Sequence, residues 1–437
     1  REVVEMLHRT HVGNDQDPEH ILDHALRTAL SDGWGGSMLA TDLTDILFGT
    51  PSPGQAQANL GVLKGDEVNI IVHGHEPTLS EMIVAATQDP EMIELAKQHG
   101  AEGINVAGMC CTGNEVLMRH GVPIAGNFLQ QELAIITGSV EAMIVDVQCI
   151  FPALPELAGC FHTKIISTSP KAKFPGATHI EFHEEHAYEI AKGIVREAVL
   201  NYENRNTAKV DIPEDKTECM AGFSVEAIVK ALGGTLEPLL DAVKSGAVQG
   251  IVGVVGCNNP RVRHDYGHIA LVKKLIEGDV LVVNTGCNAI ACAKAGLLLP
   301  EAAEMAGPGL KAVCEAVGIP PVLHMGSCVD ISRILVACAA IANALGVDIS
   351  DLPVAGAAPE WMSEKAVSIG TYVVSSGIYC VLGVAPPVLG SPAVTQLLTE
   401  GAEGVIGAKF AVEPDPVKAG ELILQHIQNK REALGIG

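Results

Sequence analysis

The stretch GIVGVVGCNNP, residues 250–260, is an apolar run that stops abruptly at glycine, cysteine and two asparagines. Four further stretches have the same shape: GINVAGMCCTGN (103–114), AMIVDVQCIFP (142–152), DVLVVNTGCN (279–288) and PVLHMGSCVD (321–330). A sixth, VNIIVHGHEP (68–77), ends in histidines instead of cysteine. Continuous Val/Ile runs of this length suit strands buried on both faces of a parallel sheet. In an open parallel sheet, ligands bind beyond the carboxyl ends of the strands, where these six strings place Cys or His.

Working outward, strands are expected near 68–72, 104–108, 143–147, 164–168 and 178–182, with amphipathic helices between them. A second series is expected near 250–255, 279–283, 321–325, 353–356, 378–384 and 404–409. Alternating β and α segments predict an α/β protein of two doubly wound Rossmann-like domains with parallel sheets. PEHILDHALRTAL has helical spacing, so a short helical remnant is expected at the N-terminus. The expected boundaries are 1–35 for that remnant, 36–210 for the first Rossmann-like domain and 211–437 for the second. The polar segment 204–224 reads as the linker. Neither half carries G-x-G-x-x-G after its first strand, so a nicotinamide or flavin site is not supported.

The composition narrows the function. The formal charge is 28 − 52 = −24, without the clustered Lys and Arg that nucleic-acid binding requires. No secretory signal and no apolar stretch of about 20 residues is visible, and a cytoplasmic location is expected. The chain starts at Arg1, without an initiator Met, which suggests that an N-terminal part lies outside this sequence. Twelve cysteines in a reducing compartment are not expected to form disulfides, and the lack of any C-x-x-C pair removes zinc ribbons and ferredoxin-type runs. Metal ligands must then converge from distant parts of the chain.

A single cysteine at a strand end is most simply a small buried hydrophobe. Five in one local context are harder to ascribe to packing. A thiolate set with one imidazole suits iron–sulfur, zinc, copper(I) or nickel chemistry, and facing sheet edges would bring the two halves' ligands to one crevice. Cys292, Cys314 and Cys338 in helical patterns, Cys380 in a strand, and Cys160 and Cys219 near loops are expected to be structural. His75 lies further beyond its strand than His73 and is the better ligand. His264 and His268 read equally well as proton carriers or as part of a capped helix start.

The strings NIIVHGHEPTLSEMI, INVAGMCCTGNEVLMRHG, GNFLQQELAIITG, VDVQCIFPAL, GVVGCNNPR, NTGCNAIACAKAGLL, LHMGSCVDISR and PEWMSEKAVSIG closely resemble the anaerobic nickel-containing carbon monoxide dehydrogenases of the hybrid-cluster (prismane-like) superfamily. The resemblance spans essentially the whole chain. It implies a nickel–iron–sulfur cluster of the Ni-4Fe-4S type held by His75, Cys111, Cys149, Cys257, Cys287 and Cys328, with Cys110 as a thiol close beside the ligands. The implied reaction is CO + H2O ⇌ CO2 + 2H+ + 2e−. Lys365 would hydrogen-bond the bound CO2 oxygen, Ile369 would limit space above the nickel, and Asp32 is a carboxylate candidate on the iron–water side.

The resemblance also implies a homodimer in the intact protein, a ferredoxin-like electron acceptor and acetyl-CoA synthase as a further partner. Additional [4Fe–4S] clusters are expected only in an N-terminal region not contained here. Two other readings compete: a hybrid-cluster hydroxylamine reductase, which needs iron but no nickel, and a non-catalytic metal-binding α/β scaffold.

Overall fold

The computed structural model describes residues 1–436 and divides into two compact units. One contains residues 47–222 and 293–296, the other 1–46, 223–292 and 297–437.

The smaller unit is built on an eight-stranded sheet. Its strands are β1 (Gly54–Ala58), β2 (Val68–Gly74), β3 (Ile104–Met109), β4 (Ile124–Gly126), β5 (Val140–Val145), β6 (Lys164–Ser167), β7 (Thr178–His179) and β8 (Thr217–Ala221), in the order β7-β6-β5-β2-β3-β4-β1-β8. All pairs are parallel except β1 with β8. Every residue of β2 and β5 is buried, as expected of central strands covered on both faces. Val68, Ile70 and Val72 of β2 share one core with Ile83 and with Ile194 and Val195, from helices Pro77–Thr87 and Ala187–Asn201.

The larger unit holds a six-stranded, all-parallel sheet. Its strands are β9 (Gly250–Val254), β10 (Val280–Thr285), β11 (Val322–Gly326), β12 (Val354–Ala358), β13 (Tyr379–Leu382) and β14 (Phe410–Val412), in the order β11-β10-β9-β12-β13-β14. Two doubly wound α/β sheets and an N-terminal helical stretch match the sequence-based fold class.

Three local expectations fail. Residues 404–409 do not form a strand: Ala402–Ile406 is helical, ended by Gly407 at φ 70°, and β14 follows. The Val-Ile pair there is a helix end, too short to reveal its period. The segment 204–224 is more than a linker, since it contains β8, the antiparallel edge partner of β1. Cys219 therefore lies in a strand, fully buried, and not in a loop.

A buried ionic cluster ties the amino ends of β2 and β5 together. Glu141 accepts hydrogen bonds from Arg205 Nε at 2.8 Å and Nη2 at 2.7 Å, from His162 Nε2 at 2.8 Å and from Asn69 N at 2.6 Å. Arg205 also donates to the carbonyls of Gly65, Glu67 and Ser139. A carboxylate with no exposure tolerates burial only while its partners remain. Arg205→Ala is expected to destabilise the chain by about 3–5 kcal/mol in urea unfolding, whereas Lys164→Ala, which removes an exposed pair with Glu197, should change stability by under about 1 kcal/mol.

Candidate metal centre

The smaller unit brings three of the expected ligands to one sheet edge. His75 directly follows β2, Cys111 lies two residues beyond β3, and Cys149 lies in the loop after β5. These strands are neighbours in the order β5-β2-β3. His75 Nε2 lies 3.7 Å from Cys149 Sγ, and its Nδ1 is 3.0 Å from the carbonyl of Val147. A carbonyl can only accept, so Nδ1 carries the proton and Nε2 presents its lone pair, the arrangement typical of a metal-ligating histidine.

Beneath the loops lies Asp146, buried, at the end of β5. Its Oδ1 accepts from the backbone N–H groups of His75, at 2.6 Å, and Val147, and its Oδ2 accepts from Thr112 Oγ1 at 2.7 Å. Burial pushes its carboxyl up to about 6, against the pull of the N–H donors of Val147 and His75. Gly74 has φ 135°, and a Cβ there would lie 1.8 Å from Asp146 Oδ1. Only glycine permits both that backbone conformation and that approach. Cys110, Gln148 and Cys149 also adopt positive φ near 57°, a conformation that residues other than glycine keep only where the surrounding structure over-determines it.

His73 does not share the role of His75. It is fully buried, with Nε2 at 3.1 Å from Gln131 Oε1 and 3.0 Å from the Cys149 carbonyl. Gln131 Nε2 donates to the same carbonyl at 3.0 Å. Burial, reinforced by nearby His75, lowers His73 to about 4, so it is a neutral support for the Cys149 loop.

The larger unit repeats the pattern. Cys257, Cys287 and Cys328 follow β9, β10 and β11, again three adjacent strands, and each is buried. Gly286, at φ 63°, sits so close that a Cβ there would be 2.6 Å from Cys328 Sγ. His268 Nε2 lies 2.8 Å from the Cys257 carbonyl, and Asn288 Nδ2 lies 2.9 Å from His268 Nδ1. Asn288 donating to Nδ1 leaves Nε2–H to donate to the Cys257 carbonyl, so this imidazole links the Cys257 loop to the helix that carries Cys287 and is not simply part of a helix start. Asp330 accepts from Ser327 N at 2.8 Å and from Thr41 Oγ1 at 2.9 Å, holding the loop of Cys328.

Cys257 and Cys328 also line a cavity of about 50 Å³ with Lys365 and Ile369. Lys365 and Ile369 stand one turn apart on the helix Glu364–Ser375, and Cys257 Sγ is 3.3 Å from Oγ of Ser363, the residue that precedes that helix. The remaining wall is mostly aliphatic or glycine. A space of this size admits a small molecule, since about 10–15 Å³ already holds one water. Asp32 is not among its lining residues. It accepts from Ser368 Oγ at 2.5 Å and lines a different pocket with Ser368 and Thr371.

The structure thus places His75, Cys149 and the helix-start Cys111 after three adjacent strands in one unit, and Cys257, Cys287 and Cys328 after three adjacent strands in the other, where Cys257 and Cys328 share a cavity with Lys365 and Ile369. Cys110 adjoins Cys111 at the start of a helix and makes a β-bridge with Gly74. The sequence reading missed Asp146, Thr112, Gln131, Ser363 and Tyr372. Tyr372 is buried 3.3 Å from Ser37 Oγ, with burial raising its hydroxyl and Asp32, Cys328 and Lys365 near enough to act on it. Burial likewise pushes the thiols of Cys219, Cys292, Cys314, Cys338 and Cys380 up to about 12, as expected of small buried thiols.

The donor set fits an iron–sulfur cluster with a further transition metal. It offers five strand-end cysteines, an imidazole with its outer nitrogen fixed, and glycines where loops approach closely.

Comparison with known proteins agrees with this chemistry. The family model described as Prismane/CO dehydrogenase family matches residues 1–417. Carbon monoxide dehydrogenase 1 of Methanosarcina mazei is 71% identical over 436 residues, covering 100% of this chain and 69% of the relative. The beta subunit of carbon monoxide dehydrogenase/acetyl-CoA synthase from Moorella thermoacetica is 44% identical over 450 residues, covering 99% and 66%. The as-isolated, nickel-free carbon monoxide dehydrogenase structure from Thermococcus sp. AM4 superposes with a TM-score of 0.99 at 64% identity, covering 100% and 69%.

The close approach at Gly74 gives a direct test. Gly74→Ala is expected to lower unfolding stability by at least about 2 kcal/mol through strain and overpacking. Gly65→Ala, where a Cβ meets nothing within 4 Å, should stay within about 0.5 kcal/mol.

Proposed function

Since the chain belongs to the Prismane/CO dehydrogenase family, we propose that it catalyses CO + H2O ⇌ CO2 + 2H+ + 2e− at a nickel–iron–sulfur cluster. The observation that carries this reading is the small apolar cavity in which two candidate ligand thiols, Cys257 and Cys328, meet a single ammonium group, Lys365. Its volume suits a diatomic or triatomic molecule, and its walls offer little to a larger polar substrate such as a sugar or nucleotide.

His75, Cys111, Cys149, Cys257, Cys287 and Cys328 would hold the cluster. When bound, that group supplies Lewis acidity toward CO and water and a store for the two electrons. The chain's own residues do the rest. Lys365 Nζ donates a hydrogen bond to the oxygen on which negative charge develops as CO becomes CO2, and in a water-poor cavity such a donor is a large electrostatic contribution. Ile369, 7% exposed, narrows the cavity and keeps bulk water from the reacting carbon. The Asp146 and His268 hydrogen bonds hold the ligand loops so that binding requires little reorganisation.

The electrons would pass to a ferredoxin-like acceptor, and the intact protein would be a cytoplasmic homodimer. Acetyl-CoA synthase is a further candidate partner, in line with the name of the Moorella relative. No described helix is long and apolar enough to cross a membrane.

The test uses protein purified anaerobically. About one nickel and at least roughly four iron atoms per chain are expected from a Ni-4Fe-4S group, with CO-dependent reduction of a viologen dye. Lys365→Ala should retain that metal content while CO oxidation falls by roughly 10²-fold or more. Iron without nickel, accompanied by hydroxylamine reduction and no CO oxidation, would contradict the proposal.

A further inference from the structure

Two loops and one helix start of the eight-stranded unit carry candidate ligands, and one side chain touches all three. Asp146 receives the backbone N–H of His75 itself at 2.6 Å. It receives the hydroxyl of Thr112, the residue after Cys111, at 2.7 Å. It also receives the N–H of Val147, on the loop that carries Cys149 and whose Val147 carbonyl fixes the His75 ring. Gly74 lets the carboxylate approach that closely. Asp146 is 3% exposed.

We infer that Asp146 is the positioning residue that sets the mutual placement of His75, Cys111 and Cys149. The inference deepens the proposed function and rests on these three residues being cluster ligands. The geometry is that of a single hub. Oδ1 serves the His75 loop and the root of the Cys149 loop, and Oδ2 serves the helix start that carries Cys111. Losing the carboxylate releases all three segments together, whereas losing Thr112 Oγ1 releases only the helix start that carries Cys111. Asp146 acts through the ligands and touches no reactant.

The hub is distinguishable from a merely structural aspartate. Asp146→Asn keeps an acceptor for the two N–H groups, and its amide can donate to Thr112 Oγ1, which accepts as readily as it donates. Asp146→Ala removes every link. Thr112→Val is close in shape and removes one link.

The test is made on the full chain purified anaerobically with its metals. Metal content, the g values of the reduced cluster and its midpoint potential are measured. Asp146→Ala is expected to lose roughly 10-fold in bound nickel and iron, the scale seen when partners of metal ligands are removed. Asp146→Asn should restore metal to within about twofold and return the g values to those of the unaltered protein, as a faithful replacement for a hydrogen-bonding partner does. Thr112→Val should shift the g values and the potential at near-normal iron content.

Unaltered metal content, g values and potential in both Asp146→Ala and Thr112→Val would overturn the inference. If Asp146→Ala yields no folded protein, Thr112→Val decides alone: an unshifted spectrum overturns the hub. His75→Ala separates the premise from the inference. No change there refutes the ligand assignment, whereas a change there beside silent Asp146 and Thr112 variants refutes only the hub.

Discussion

Strands paired in parallel deliver all their carboxyl ends to one edge, and the rest of the site depends on that constraint. In the smaller unit β5, β2 and β3 lie side by side, and in the larger unit β11, β10 and β9 do. Each of these six strands is followed within a few residues by one candidate ligand. Neighbouring strands lie about 4.8 Å apart, so three ligands on adjacent strands start within reach of one cluster. No sequence-local motif is required, which is why a chain without any C-x-x-C pair can still gather soft ligands.

Adjacency alone leaves loops free to wander, and both units answer this with buried polar groups whose hydrogen bonds end on backbone. Asp146 in one unit and Asp330 in the other each accept an N–H from a residue just past a strand, His75 and Ser327. A buried histidine in each unit reaches the carbonyl of a candidate ligand cysteine, His73 to Cys149 and His268 to Cys257. Backbone groups so held are satisfied in the absence of water, and unmaking such a bond exposes the full cost of a buried orphan. Rigidity at the ligand loops is thus a by-product of satisfying their polar atoms.

The sequence makes part of this legible. Continuous apolar runs marked the strands of both sheets because central parallel strands are buried on both faces, and the abrupt change to Gly, Cys and Asn marked their carboxyl ends. The strands beyond β3 on one side of the smaller sheet were not legible. The short β1, β4 and β8 lack a long Val/Ile run, and β8 lies in a stretch whose Lys, Glu and Asp residues read as a linker. The supporting residues were hidden for another reason. Asp146 and Thr112 are 34 positions apart, and nothing local distinguishes a buried carboxylate serving three loops from an ordinary strand-end aspartate. Gly74 was the one available clue, a glycine between two histidines at a strand end. Lys365 stood out only through the PEWMSEKAVSIG resemblance, since its helical spacing reads as an ordinary surface lysine.

The central claim is that the strand-end histidine and cysteines ligate metal. Anomalous diffraction from anaerobically grown crystals, recorded at the iron and nickel absorption edges, tests it most directly. Iron and nickel peaks are expected within bonding distance of His75, Cys111, Cys149, Cys257, Cys287 and Cys328. Peaks bound by other residues, or metal-loaded crystals whose peaks avoid these six side chains, would contradict it.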